Sequence, residues 1–134
     1  MAKIRVGCAV MVEMDGKLLM GKRGKEPGYG TLIIPGGKVD LYEDFAQTAR
    51  REIREETGIE IKNLRQFRTF QLIDPDIQHR VIIYWQADYA SGELAPSDDL
   101  LSAKFYTREE IAGCIASGHI TSISLEVLKA AGWA

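Results

Sequence analysis

Glu52, Glu55 and Glu56 are the residues whose types and spacing first demand a chemical explanation. Glu52 and Glu56 stand one helical turn apart, and Glu55 lies three residues from Glu52. On a helix the three carboxylates therefore share one arc. Like charges at this spacing repel and weaken a helix by roughly 0.2–0.5 kcal/mol per pair, so the arc calls for cations. Two sources are at hand. Arg50, Arg51 and Arg54 could neutralise the cluster by side-chain pairs, which would make it a salt-bridged surface helix. A divalent metal could do so instead, because carboxylate oxygens are hard ligands suited to Mg²⁺ or Mn²⁺ and a metal-bound water can be activated. The helix alone leaves both open.

The elements that must position this arc can be read on either side of it. Residues 43–57 are predicted helical: Glu43-Asp44 in the first turn suits the helix dipole, and Gly58 suits the stop. Phe45, Ala46, Ala49 and Ile53 recur at helical spacing as the face that packs on a sheet, next to the acidic arc. Before the helix, Pro35-Gly36-Gly37 reads as a sharp turn whose backbone can approach a ligand without obstruction. Residues 4–13 read as a strand, Asp15-Gly16 as a hairpin turn, and Leu18-Leu19-Met20 as the start of the return strand. That strand ends in Lys22-Arg23-Gly24-Lys25, which serves equally as a solvated edge or a phosphate contact. Tyr29 is expected to be exposed on a glycine-rich loop, and 31–34 to form a short buried strand.

After the helix, 61–73 is expected to be a bulged strand, broken by Asp74-Pro75-Asp76. Residues 81–87 are nearly continuous in apolar and aromatic side chains and predict a central strand. A loop over 91–99, a last strand over 103–106, a helix opened by a capping box at Thr107 and a second helix over 122–131 complete the chain. This order predicts an α/β fold, a mixed sheet with helices on both faces.

The segment from Gly37 to Ile59 resembles the Nudix box: Gly, five residues, Glu, seven residues, Arg-Glu, an aliphatic residue, any residue, Glu-Glu, any residue, Gly, an aliphatic residue. Gly37, Glu43, Arg51, Glu52, Ile53, Glu55, Glu56, Gly58 and Ile59 fill every fixed position. The resemblance extends more loosely from the first hairpin to the terminal helices. It implies an α/β/α sandwich with the box helix against the sheet, and it favours the metal over the salt-bridged surface. It also implies metal-assisted attack of water on the pyrophosphate of a nucleoside diphosphate linked to another group. Glu52, Glu55 and Glu56, with the Gly37 carbonyl, are then the implied ligands of Mg²⁺ or Mn²⁺, and Glu52 or Glu56 the implied general base. Glu43 and Arg51 are implied to pair and steady the loop, with Lys38 and Arg23 as phosphate contacts. Some members recruit a further acid from a late loop; here Asp98 and Asp99 are best placed, with Glu93 behind them, and a solvated loop accounts for them equally.

The box sets a reaction class rather than a substrate. Pro75 stands sixteen residues past Ile59, where a proline marks the ADP-ribose pyrophosphatase subgroup, although a turn between strands also explains it. ADP-ribose or a similar nucleotide sugar is the expected substrate, with Tyr29, Phe70 or Tyr84 as candidates to stack on the base and His79 as a further contact. A MutT-like pyrophosphohydrolase acting on (oxidised) nucleoside triphosphates is the alternative. A nucleotide-sensing module without catalysis ranks below both, because such modules usually lose box glutamates.

Size and composition agree with this class. The 134 residues suit one domain over 1–134, with 46% hydrophobic and 27% charged residues. A formal net charge of −2 provides no basic surplus for a nucleic-acid polymer. The start of the chain lacks the pattern of a signal peptide, and no segment has the length of a membrane span, so a cytoplasmic location is expected. Cys8 and Cys114 read as free thiols in apolar settings. Homodimers are common in the family the box resembles, and a dimer would bring further residues to the site.

Overall fold

In the computed structural model, residues 3–134 are described; Met1 and Ala2, the start of the amino-terminal segment read above, lie outside the described residues. Strands β1 (Ile4–Met14) and β2 (Lys17–Arg23) are joined by Asp15-Gly16, both at positive φ (52° and 76°). That geometry matches the twist of a two-residue hairpin and explains the Asp-Gly pair. The short strands β3 (Leu32–Ile33) and β4 (Gly36–Lys38) precede helix α1 (Phe45–Thr57). Strands β5 (Glu60–Asp74) and β6 (Gln78–Ser91) form a long hairpin, followed by β7 (Leu100–Tyr106), α2 (Arg108–Ala116) and α3 (Ser122–Ala130).

The sheet is mixed. It runs β3-β2-β1-β6-β5, with β4 on β1 and β7 on β2. The β1–β6 pair is parallel from Ile4↔His79 to Glu13↔Asp88 and runs through the middle of the sheet. Strand β1 touches β2 only at the hairpin end, Glu13↔Leu18 and Met14↔Lys17, then diverges, and β4 occupies the opening at Gly7–Ala9. Register shifts along β5 are the expected bulges.

Alternation along β1 sends its side chains to two cores. Cys8, Val10 and Val12 join Ala49 and Ile53 of α1, whereas Ala9 and Met11 join Ile111 of α2 and Val127 and Leu128 of α3. Helices therefore cover both faces, the expected α/β architecture. Ile53 is fully buried, so Ile53→Ala should cost about 2–5 kcal/mol.

Three local expectations are corrected. Helix α1 starts at Phe45, not Glu43: Asp44 is the N-cap, its Oδ1 accepting from the Gln47 N–H at 2.8 Å while Gln47 Oε1 accepts from the Asp44 N–H at 2.8 Å. Glu43 therefore lies outside the helix, free to turn back towards it. Phe45 does not pack on the sheet and is 42% exposed, because the first residue after the cap points off the end of the buried stripe. Gly36 and Gly37 do not form a turn; they are the strand β4. A Cβ at Gly36 would overlap the Cys8 carbonyl oxygen and Ala9 Cα of β1. This proline-glycine-glycine run is needed for the close approach of two backbones.

Candidate active site

Arg51 sits at the centre of the site and uses all three guanidinium nitrogens. Its Nε and Nη2 donate to Glu43 Oε2 and Oε1 at 2.7 and 2.9 Å, a bidentate pair. Its Nη1 donates to Glu52 Oε1 at 2.6 Å and Glu55 Oε2 at 3.0 Å, and Nη2 also donates to the Lys38 carbonyl at 3.0 Å. Thr48 Oγ1 adds a hydrogen bond to Glu43 Oε1 at 2.6 Å. One side chain thus ties β4, the loop and two turns of α1 together. Arg51 beside Glu43, with Thr48 adding to it, pulls the Glu43 carboxyl down to about 2, and the same contacts push the Arg51 guanidinium up.

Glu52 is 8% exposed, and its carboxylate lies over Gly37: a Cβ at residue 37 would overlap Glu52 Oε2. Gly37 is therefore the seat of the Glu52 carboxylate. Burial raises the Glu52 pKa, and Arg51 opposes the shift. Glu56 is partly buried; burial raises its pKa too, Ser97 opposes, and the charges of Asp99 and Glu52 raise it further. The only side chain that hydrogen-bonds Glu56 among the described residues is Ser97, whose Oγ donates to Oε2 at 3.2 Å. The loop after β6 is held against the end of α1 by Ala95 N–H to Thr57 O at 2.8 Å and Ser97 N–H to Glu56 O at 2.9 Å.

Glu52, Glu56 and Gly37 open into a cleft of about 1090 Å³ at the end of the sheet. The cleft also receives Lys38, Arg23 and Asp99, and Pro75 and His79 stand at its β5–β6 rim. Asp99 is paired with Lys25 at 3.3 Å, and its backbone oxygen accepts from Gly24. Other expected residues lie elsewhere. Glu55 is exposed and held by Arg51, and Asp98 and Glu93 are exposed outside the lining of the cleft. Tyr29 is 58% exposed on its loop and also outside that lining. Phe70 packs edge-on against Tyr84, ring centroids 5.6 Å apart, and Tyr84 is 3% exposed within the core. Neither ring lines the cleft.

Ser97, Arg5 and Arg80 line or support the site and were not singled out from the sequence for it. A charged residue inside a β-branched run, as in Ile4-Arg5-Val6 and Arg80-Val81-Ile82, was the available signal for the two arginines.

The fit of a divalent cation can be tested on charge. Glu52 and Glu56 are carboxylates drawn out of water, Glu52 beside the charges of Glu55 and Asp40 and Glu56 beside those of Asp99 and Glu52, so what they lack is positive charge. Arg51 supplies it to Glu52 by direct contact; Glu56 has the Ser97 hydroxyl and the charge of Lys25, which is not in salt-bridge contact with it. Hard oxygen donors in this condition fit Mg²⁺ or Mn²⁺. Glu55 is hydrogen-bonded to Arg51, and no group of three His, Cys, Asp or Glu side chains among the described residues is drawn together as a coordination sphere.

The NUDIX domain family matches residues 1–124. The chain belongs to the Nudix hydrolase family. It is 35% identical over 97 residues to an ADP-ribose pyrophosphatase of Methanocaldococcus jannaschii, an alignment covering 72% of this chain and 57% of that protein. It is 38% identical over 90 residues to the NAD-capped RNA hydrolase NudC of Mannheimia succiniciproducens, covering 66% of this chain and 32% of that one. The chain thus spans from about a third to somewhat over half the length of these relatives. Among solved structures, a MutT Nudix hydrolase from Burkholderia pseudomallei superposes with a TM-score of 0.75 at 30% identity, covering 89% of this chain and 99% of that one. A bifunctional NMN adenylyltransferase/ADP-ribose pyrophosphatase from Francisella tularensis, complexed with AMP and Mn ion, shares the fold at a TM-score of 0.77 and 19% identity, covering 96% of this chain and 41% of that one.

Proposed function

We propose that this Nudix family member hydrolyses the phosphoanhydride of a nucleoside diphosphate linked to another group, with ADP-ribose or a similar nucleotide sugar as substrate. The observation that carries the reading is the pair of carboxylates, buried Glu52 and partly buried Glu56, opening into a cleft that also receives cationic side chains. Glu52, Glu56, the Gly37 carbonyl and water would hold Mg²⁺ or Mn²⁺. When bound, the cation would neutralise phosphoryl oxygens and acidify water.

The chain's own residues supply the rest. Arg51 fixes the Glu52 carboxylate in one orientation and holds β4 through the Lys38 carbonyl, so the seat at Gly37 does not shift. Glu56, raised by burial and lacking a cationic partner, is suited to accept the proton of the attacking water. Asp99 adds negative charge beside it. Lys38 and Arg23 bind the non-bridging oxygens and oppose the charge that develops as the anhydride opens. Glu55 acts here as a support for Arg51, and a cation entering the site would compete with Arg51 for it.

ADP-ribose is favoured by the relative from M. jannaschii and by Pro75 at the rim of the cleft. The second reading, a MutT-like nucleoside triphosphate pyrophosphohydrolase, is favoured by the near-complete superposition with the B. pseudomallei protein. The NudC relatives are named NAD-capped RNA hydrolases, and NAD itself contains a pyrophosphate, so an NAD-type group falls within the same class. A sensing role without catalysis is disfavoured by the filled box. Among the described residues no helix is long and apolar enough to cross a membrane, and a cytoplasmic homodimer remains part of the proposal.

A product-analysed screen of ADP-ribose, NAD, dinucleotide polyphosphates and dNTPs, with Mg²⁺, Mn²⁺ or EDTA, tests this. AMP and ribose phosphate from ADP-ribose, only with metal, is the expected result. Inorganic pyrophosphate from dNTPs with ADP-ribose untouched would replace the first reading by the second.

A further inference from the structure

Arg80 is a partly buried guanidinium without a carboxylate within salt-bridge distance and without a side-chain hydrogen bond among the described residues. Burial pushes its pKa down, and the charges of Arg23 and Arg5 act in the same direction. Arg5 and Arg80 are register partners on the parallel strands β1 and β6, so their side chains leave the same face of the sheet side by side. Like charges placed directly opposite on a sheet are destabilising, and a desolvated charge without a partner more so. Asp74 and Asp76 line the same cleft on the β5–β6 turn, yet neither forms an ion pair with these arginines. Arg80 is thus a partly desolvated guanidinium facing two further cations, Arg5, which is exposed, and Arg23, whose Nε donates to the Pro27 carbonyl at 2.6 Å. No carboxylate among the described residues pairs with any of the three.

Their position relative to the acidic wall is set by a glycine. Gly7 of β1 lies between the two walls: a Cβ there would be 2.8 Å from the Gly37 oxygen and 3.8 Å from Arg80 Nη2. Residue 7 has no side chain, and Arg80 Nη2 reaches its position on β1, next to the β4 backbone on which Glu52 is seated. A planar guanidinium fork matches phosphate oxygens two at a time.

We infer that Arg80, with Arg5 and Arg23, forms a metal-independent subsite for the phosphoryl group of the substrate that lies away from Glu52 and Glu56. This deepens the pyrophosphate reading, since one phosphoryl group sits over the carboxylates and the next over the arginines. Arg80 is a specificity-determining residue that binds the second phosphoryl group and leaves the proton transfer to Glu56.

The test is calorimetric titration of the full chain with inorganic pyrophosphate in EDTA, repeated with orthophosphate and at raised salt. Pyrophosphate should bind without metal, and its affinity should fall as salt rises. Arg80→Gln should weaken it about tenfold or more, and Arg80→Lys should recover only part of the loss, since a point charge replaces the fork. Arg50→Gln, an exposed arginine of α1 outside the cleft, should bind as the parent does. Thermal melting controls for folding, and Arg80→Gln should melt no lower than the parent because it removes an unbalanced charge. On a hydrolysed substrate, Arg80→Gln should raise KM with little change in kcat. Absence of pyrophosphate binding in EDTA, or unchanged binding by well-folded Arg80→Gln, overturns the inference. Binding that is intact in a chain that cleaves nothing in the screen would instead overturn the hydrolase reading and leave the subsite standing.

Discussion

On the α1 side of the cleft one arginine, Arg51, gathers four carboxylates, Asp40, Glu43, Glu52 and Glu55; on the other, Arg5 of β1, Arg80 of β6 and Arg23 of β2 stand without any. Arg51 reaches Glu43, Glu52 and Glu55 with hydrogen bonds of 2.6 to 3.0 Å, so that wall is largely satisfied before anything binds. Arg80 has neither a carboxylate partner nor a side-chain hydrogen bond among the described residues, and the charges of Arg23 and Arg5 press on it. Arg23 has the Pro27 carbonyl, to which its Nε donates at 2.6 Å. The first wall is pre-organised, and its remaining deficit is local, at Glu56. The second is a standing demand for an anion. A site of this kind holds a charged group at one end and a counter-charge at the other, and a pyrophosphate bridged by a cation would satisfy both at once.

The sharpest way to break the comparison is Glu56→Gln. Its carboxylate is the one acid of the wall with no cationic partner, so little in the fold depends on its charge. Turnover of ADP-ribose with Mg²⁺ should fall by on the order of 10²–10⁴-fold, the usual range for loss of a general base, while the melting temperature stays level or rises. Full activity in this variant would remove Glu56 from the chemistry. Arg51→Ala should fail differently. It leaves Glu43, Glu52 and Glu55 crowded without a cation, and should cost about 2–4 kcal/mol in a urea titration, below the full cost for a buried pair because the guanidinium retains some exposure. Both activity and stability fall in this case. An Arg51→Ala chain as stable as the parent would mean that the acidic wall is not held by that hub.

The two walls also differ in how far the sequence reveals them. The acidic wall is local: Gly37, Glu43 and 51–56 lie within one short strand, the loop after it and one helix, and helical spacing is enough to place Glu52 beside Glu56. The basic wall is built by pairing β1 with β6, strands far apart in the chain, and no periodicity within either strand specifies that Arg5 stands opposite Arg80. The same limit hid β4. A three-residue strand containing two glycines has almost no strand propensity of its own, and only its fit against Cys8 and Ala9 makes it one. The helix start is a separate case: Asp44 with Gln47 three residues on is a capping box legible in the sequence, whereas the acidic residues Glu43 and Asp44 suit a first turn equally well on charge alone. Asp99 and Asp98 are neighbours in a loop that composition cannot orient, and only backbone contacts to Gly24 and Glu56 turn one of them towards the cleft.

Two glycines separate what the acidic wall needs for folding from what it needs for function. Gly36→Ala drives a methyl into the backbone of β1, which cannot yield, and overpacking of this kind costs about 1–3 kcal/mol. Gly37→Ala drives it into the end of the Glu52 side chain, which can swing aside. Urea midpoints should therefore drop more for Gly36→Ala. Metal-dependent activity should drop for Gly37→Ala well beyond its stability loss, with Mn²⁺ binding weakened in parallel. Equal stability losses with equal activity would mean that the Glu52 carboxylate has no fixed seat.

The smallest expected effect is also the one that distinguishes the walls without touching the cleft. Glu43 has its pKa lowered to about 2 by Arg51 and Thr48, from an ordinary value of 4.5. A carboxylate whose folded pKa is depressed contributes stability that is complete above its unfolded value and is lost as pH falls through the folded one. The acidic wall should thus loosen as pH drops from about 4.5 towards 2, whereas the arginines keep their charge over that whole window. Urea midpoints of the parent and Glu43→Gln, followed downward from neutral pH, should converge across this interval, the parent starting higher and losing more. Pyrophosphate binding by the Arg80 subsite in EDTA, corrected for the protonation of pyrophosphate itself, should change little where the acidic wall begins to loosen. Parallel lines for the two proteins would show that the Arg51–Glu43 pair adds nothing to the folded state, and that the order of the acidic wall comes from the packing of α1 alone.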